Sequence, residues 1–236
     1  MVSSITLKIQ RLKLFFWTLV LVTLLGIQFC LGAERAYFPT AALGYFIHAL
    51  VGFTMSCIAV YISLRAQEKY VLANTVPTQW LLNSTLIIVA MHLISGLWLS
   101  ANNAGLVCAG FPQCNGSWWP NASYFYAFDF VSPLSFDAKV ALHWLHRVFS
   151  LTVFVSITCL MLTVTRDKHR KVRWLGTISS FLLLMQIATG IAAVKMSLQL
   201  WITSAHSVLA LLLMLCLLGI RFYIRYELLG SESAKS

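Results

Sequence analysis

Acidic side chains are scarce in this chain. There are seven Asp and Glu against seventeen Lys and Arg in 236 residues, and only 10% of residues are charged. A soluble globule carries about a quarter charged residues, so a soluble fold is excluded. The acids are Glu34, Glu68, Asp129, Asp137, Asp167, Glu227 and Glu232, all in loops or at the ends of apolar runs. Their placement excludes a carboxylate relay carrying protons across a membrane. Cysteine is thin as well: six residues are too few for a disulfide scaffold in a chain this long. Cys30, Cys57, Cys159 and Cys216 lie inside apolar runs and read as small buried hydrophobes. Cys108 and Cys114 lie in a loop with no His or further Cys beside them, too few ligands for zinc.

What is abundant is hydrocarbon, with 59% of residues apolar. A membrane span needs about 20 consecutive apolar residues. Six stretches qualify: Leu14–Gly32, Leu43–Leu64, Trp80–Leu99, Ala138–Val164, Trp174–Val194 and Trp201–Phe222. The expected fold is all-α, a polytopic membrane bundle of six transmembrane helices. Lys8, Arg11 and Lys13 ahead of the first run resemble a signal peptide, but the run is long and no small-residue cleavage site follows cleanly. It reads as a retained span.

Basic charge sets the orientation, because Lys and Arg accumulate in cytoplasmic loops. Lys8, Arg11, Lys13, Arg65, Lys69, Arg166, Lys168, Arg170, Lys171, Arg173, Arg221, Arg225 and Lys235 all fall on one side of six spans. The other side has Arg35, Lys139 and Lys195. Both termini are therefore expected in the cytoplasm, and the net charge of +10 marks topology rather than nucleic-acid binding. The loop over 100–137 then faces outward, where disulfides are permitted, with Trp118, Trp119, Tyr124 and Tyr126 suited to the membrane interface. A local Cys108–Cys114 disulfide is the main reading of that loop, and free thiols are the alternative.

The polar groups within the spans are histidines. His48, His92, His143, His146 and His206 lie in spans; His169 lies in a basic loop. With the helix directions fixed, all five fall roughly one to two turns from the outer end of their span. Intramembrane ionisable residues usually face the bundle interior. A single one is explained equally well by an interhelical hydrogen bond. Five at one depth, without carboxylates, suit an axial haem site built from facing helices. His143 and His146 share a helix face at i and i+3, and only one is needed as a ligand. Arg147 follows directly, placed to pair with a haem propionate; the alternatives are a capped carbonyl or a water-filled pocket.

The chain also repeats itself. Gln28, Gly32 and His48 recur 158 residues later as Gln186, Gly190 and His206. His92 and Gly96 repeat the Gln/Gly spacing on a third helix. Residues 80–227 are thus expected to form a complete four-helix unit, with 1–79 a helix pair like the second half of another and 228–236 a cytoplasmic tail.

The stretches "GLWLSANNAGLVCAGFPQCNGSWWP" and "KVALHWLHRVFSL" together resemble the haem A synthase family of terminal-oxidase assembly enzymes, most strongly over 86–155. "HALVGFT" and "AHSVLALL" extend the resemblance less specifically. The resemblance implies two pseudo-symmetric four-helix halves, one holding haem b and the other accepting haem o. It implies oxidation of a haem o methyl group to the formyl group of haem A. His146 and His206 match the iron-ligating pair of the carboxyl-terminal half, and His48 the second histidine of the amino-terminal half. Cys108 and Cys114 match the loop disulfide. The family's first two helices have no counterpart in this sequence, nor does the glutamate associated there with catalysis. His143 stands at the corresponding place before His146, and "CAGFPQC" lacks the Asp that often follows Cys-Pro in the family.

The leading expectation is a haem A synthase-type membrane oxidoreductase in the bacterial inner membrane, with the mitochondrial inner membrane as the alternative. Its cofactor is haem b (iron) and its substrate haem o. Its cofactor-binding residues are His146, His206, His48, Arg147 and His143, and no catalytic residue is assigned. The partners expected are the lipid bilayer, haem o, a haem O synthase and a second copy of the chain. Other classes weighed are a non-catalytic haem-binding protein of oxidase assembly, a b-type electron carrier acting on quinone, and a disulfide-exchanging membrane protein.

Overall fold

A computed structural model describes residues 2–37, 42–66, 70–72, 78–167 and 169–228. Lys69, Lys168 and Lys235 of the orientation argument, and the tail beyond 228, lie outside the described residues. The fold is all-α with six long helices: α1 (Val2–Tyr37), α2 (Ala42–Arg65), α3 (Thr78–Ala101), α4 (Phe136–Val164), α5 (Arg170–Lys195) and α6 (Leu200–Arg225). Each contains a stretch of at least 23 residues that is long and apolar enough to cross a bilayer. The protein is an integral membrane protein. The helices overrun the apolar stretches at several ends. Hydropathy detects only the part in hydrocarbon, whereas backbone bonding carries a helix on into polar residues such as Arg170 and Arg225.

One element is absent from the hydropathy pattern. Strands β1 (Tyr70–Leu72) and β2 (Tyr226–Leu228) pair antiparallel, with Val71 opposite Glu227. Three-residue strands are too short to leave a periodic signal.

The chain divides into two compact units, 1–74 with 222–236, and 75–221. In the first, α1 packs along α2, with Trp17 edge-on to Tyr61 at 5.7 Å between ring centroids. In the second, α3 packs along α4 and α4 also contacts α5. Few large buried residues occur outside this unit, whose core includes Leu82, Trp98, Leu142, Ile157, Leu160 and Leu217.

Polar ties cross the second unit where helices meet in a medium without water. Thr85 Oγ1 and Ser156 Oγ lie 2.9 Å apart between α3 and α4, and Arg221 Nε donates to Asn83 Oδ1 at 2.9 Å between α6 and α3. At the start of α4, Ser135 Oγ accepts from the Ala138 amide and Asp137 sits in the first turn, where the helix dipole favours negative charge. The α5–α6 turn is made by Ser197 and Leu198, both with positive φ.

Interhelical hydrogen bonds in membranes contribute modestly, because the unfolded helices also find partners. A double-mutant cycle of Thr85→Val and Ser156→Ala, read by reversible unfolding in bicelles, is expected to give a coupling of about 0.6 kcal/mol. A coupling indistinguishable from zero would mean that the two hydroxyls do not act as a pair.

Candidate functional site

Three helix hairpins carry one arrangement: a histidine on the second helix lies over a glycine on the first. In α3/α4, a Cβ at Gly96 would lie 3.0 Å from His146 Cε1. In α5/α6, a Cβ at Gly190 would lie 3.0 Å from His206 Cε1. In α1/α2, a Cβ at Gly32 would lie 3.6 Å from His48 Cε1. The missing side chain lets each imidazole lie against the facing backbone, as small residues do at close membrane contacts. The Gln/Gly/His recurrence in the sequence therefore corresponds to a recurring contact within separate hairpins.

Hydrogen bonds define how each ring is held. His146 Nδ1 lies 3.0 Å from Ser95 Oγ, and Ser95 Oγ also donates to the His92 carbonyl at 2.7 Å. His206 Nδ1 lies 3.1 Å from Thr189 Oγ1, which donates to the Met185 carbonyl at 2.9 Å. Gln186 Nε2 is 3.1 Å from His206 Nε2, and Gln28 Nε2 is 3.2 Å from His48 Nε2. His48 Nδ1 has no hydrogen-bond partner among the described residues, and neither glutamine's Oε1 has one.

His92 stacks on His146 with ring centroids 4.2 Å apart and planes 10° from parallel. His206 is within electrostatic reach of both rings. Each of the three keeps part of its surface accessible, although Gly96 and Gly190 back the rings of His146 and His206. His143 behaves differently. It is buried, its Nδ1 has no hydrogen-bond partner among the described residues, and it lies within electrostatic reach of His146 and Arg147. The structure thus stacks His92 on His146, with His206 and His143 each within electrostatic reach of His146. His48 belongs to the other unit.

The loop is a folded object. Cys108 and Cys114 form a disulfide with Cα atoms 4.6 Å apart, and both residues are fully buried against Val140 and Trp144 of α4. Gly110 and Gly116 take positive φ, which glycine allows without steric cost. Asn115 closes the turn, its Oδ1 accepting from the Ala109 amide and its Nδ2 donating to the Val107 carbonyl. Arg147 fastens this loop to α4. Nη1 donates to the carbonyls of Gly110 (3.0 Å) and Gln113 (3.1 Å), and Nη2 to that of Cys108 (3.0 Å). Its guanidinium also lies over the Phe111 ring, 5.9 Å from the centroid. Of the roles weighed for Arg147, the capped carbonyl is the contact present.

Further along, Tyr124 donates to the Pro120 carbonyl at 2.7 Å, and burial raises its phenol above the ordinary value. Amides of Val131 and Ser132 donate to Asp129 Oδ1 and hold its carboxyl below the usual range. Protonation would break that turn, so its contribution is constant at neutral pH and is lost as pH falls through the lowered value.

The COX15-CtaA family profile, described as cytochrome oxidase assembly protein, matches residues 1–218. The chain belongs to the COX15-CtaA family. Among curated relatives of this family member, the heme A synthase of Shewanella oneidensis is 26% identical over 222 residues, which are 89% of this chain and 66% of the relative. That of Halalkalibacterium halodurans is 28% identical over 123 residues, 51% of this chain and 37% of the relative. That of Neorickettsia sennetsu is 27% identical over 132 residues, 56% and 39% respectively. The chain spans less than two thirds of the length of each.

Two contacts escaped the sequence reading: the hydroxyls of Ser95 and Thr189. Their signal was present, since each directly precedes the glycine of its hairpin, where the first hairpin has Leu31.

Replacing Arg147 by Lys keeps the charge but loses the planar fork. Hydrogen exchange at the hydrogen-bonded loop amides of Ala109, Cys114 and Asn115 is expected to accelerate about tenfold in Arg147→Lys, the loss of about 1.4 kcal/mol of charge-assisted bonding. Unchanged exchange in that variant would show that the guanidinium does not hold the loop.

Proposed function

We propose that this protein is a haem A synthase-type membrane oxidoreductase that converts a methyl group of haem o to the formyl group of haem A. The observation that carries the reading is the pair His146 and His206. They come from adjacent hairpins, each lies on a glycine, and each is hydrogen-bonded through Nδ1 to a hydroxyl. That donor set fits a haem. Among the described residues no three His, Cys, Asp or Glu side chains gather into a cage for a bare ion. A porphyrin supplies four equatorial nitrogens itself and needs only two imidazoles from the protein.

In this reading His146 and His206 hold haem b, and a bound haem supplies one-electron transfer. The residues around it bind, orient and shield. Ser95 and Thr189 fix the ring planes, and the glycines leave room for the rings. The disulfide loop, fastened by Arg147 next to His146, is proposed to cover the site and limit water. Arg147 retains Nε–H and one Nη2–H beyond its three carbonyl bonds, and a haem propionate is the anion proposed for them. His48, with the same glycine seat, is the proposed contact for haem o in the other unit. His143, within electrostatic reach of His146, is proposed as a further contact at the haem. The proposed setting is the bacterial inner membrane with both termini cytoplasmic, which the basic-residue asymmetry supports. The proposed organisation keeps 80–227 as a haem-binding unit and 1–79 as a repeat-related helix pair.

A second reading, a haem-binding protein of oxidase assembly without chemistry of its own, is favoured by one observation. The apolar middles of the six spans carry no carboxylate, and the position three before His146 is His143.

The purified protein is expected to show a low-spin b-type spectrum that His146→Ala and His206→Ala each abolish. A folded protein free of haem would overturn the haem reading altogether. Co-expression with an enzyme that makes haem o, followed by pigment extraction, is expected to yield haem A. Haem o alone, from a stable and haem-loaded protein, would select the second reading.

A further inference from the structure

A hydroxyl has one hydrogen, and the heavy-atom contacts assign two of them. Ser95 Oγ lies 2.7 Å from the His92 carbonyl, which can only accept, so the hydroxyl hydrogen is assigned to that contact, where it relieves the repulsion between two oxygens. At its 3.0 Å contact with His146 Nδ1 the same oxygen must then accept, so Nδ1 carries the ring proton. Thr189 repeats this. Its hydrogen goes to the Met185 carbonyl at 2.9 Å, so Thr189 Oγ1 accepts from His206 Nδ1–H at 3.1 Å. In both rings Nε2 is left with its lone pair. Gln186 Nε2 meets His206 Nε2 at 3.1 Å; either orientation of that amide satisfies the contact, so the hydroxyl alone decides the tautomer, and an iron at Nε2 would take the glutamine's place.

The first hairpin lacks this device. Leu31 stands where Ser95 and Thr189 stand, directly before the glycine under the histidine. His48 Nδ1 is a buried atom without a partner among the described residues. Gln28 bonds His48 Nε2 at 3.2 Å, but a rotated amide would serve equally well by accepting from an Nε2–H. With no hydroxyl to choose between these states, His48 has no fixed tautomer.

We propose that Ser95 and Thr189 are positioning residues that lock His146 and His206 in the Nδ1–H tautomer, as permanent haem ligands through Nε2, and that Leu31 leaves His48 unlocked. The inference rests on the haem reading above for what Nε2 binds, but not for the tautomers. A hydrogen bond from Nδ1–H to an acceptor orients a ligating imidazole and raises its basicity. Two rings are therefore built to retain an iron, and the third to form a bond that breaks easily.

The test uses the full chain in lipid nanodiscs, as purified, with Ser95→Ala, Thr189→Val and the conservative Ser95→Thr and Thr189→Ser. Haem transfer to apomyoglobin is expected to accelerate about tenfold or more in Ser95→Ala and Thr189→Val. Their midpoint potentials are expected to rise, because a less basic imidazole stabilises ferric iron less. The g values of the ferric low-spin signal shift with it. The conservative swaps are expected to restore all three readouts, which separates positioning from a general loss of packing. Haem-loaded Ser95→Ala and Thr189→Val with unchanged transfer rate, potential and g values would overturn the proposal.

Imidazole nitrogen-15 resonances of haem-free protein provide a second measurement, independent of loading or of any variant that fails to fold. They are expected to show Nδ1–H alone at His146 and His206, a mixture at His48, and Nδ1–H alone at His48 in Leu31→Thr. Mixed tautomers at His146 and His206 would overturn the lock even if the haem reading stands. Absence of haem with locked tautomers would overturn the haem reading and leave the lock.

Discussion

The contact on which the site depends is an imidazole lying against a glycine of the preceding helix. At Gly96 and Gly190 a single added carbon would stand 3.0 Å from the ring, well inside ordinary carbon contact. Any larger residue would push His146 or His206 away from its hydroxyl partner. The spacing that brings Ser95 to His146 Nδ1 and Thr189 to His206 Nδ1 is thus set by the glycine that follows each hydroxyl. One missing Cβ fixes the interhelical distance, the ring orientation and the tautomer together. In a membrane, where apolar side chains gain little by leaving lipid for one another, such close backbone approach is a principal source of helix association.

Much of this was legible in the sequence, for physical reasons. Six spans follow from the minimum length of helix that crosses hydrocarbon. The histidines stand out because an ionisable group in a span is costly and rarely incidental. The glycines at Gly32, Gly96 and Gly190 were visible as a repeat, since a close contact admits few alternatives. The enclosed loop was visible because two cysteines with glycines, a proline and tryptophans lie between spans.

The remainder was not legible, because it depends on partners distant in sequence or on geometry. Arg147 could be read as a propionate anchor, and nothing local revealed that the carbonyls of Cys108, Gly110 and Gln113 would meet it. His143 and His146 share a face by spacing, yet one is buried and the other lies over Gly96 with part of its surface accessible. A helix face is wide enough for neighbours 60° apart around the axis to meet different elements. The β1–β2 pair joins segments more than 150 residues apart with only three residues each, too little for any pattern.

The Arg147 contacts also impose an order in time. A chain is made from its amino end, and its acceptors for this guanidinium are synthesised 34 to 39 residues ahead of the donor. When α4 is made, the carbonyls that accept from its only cation away from the helix ends have already been made. The reverse arrangement, with the loop after the helix, would leave that charge waiting in hydrocarbon for partners not yet made.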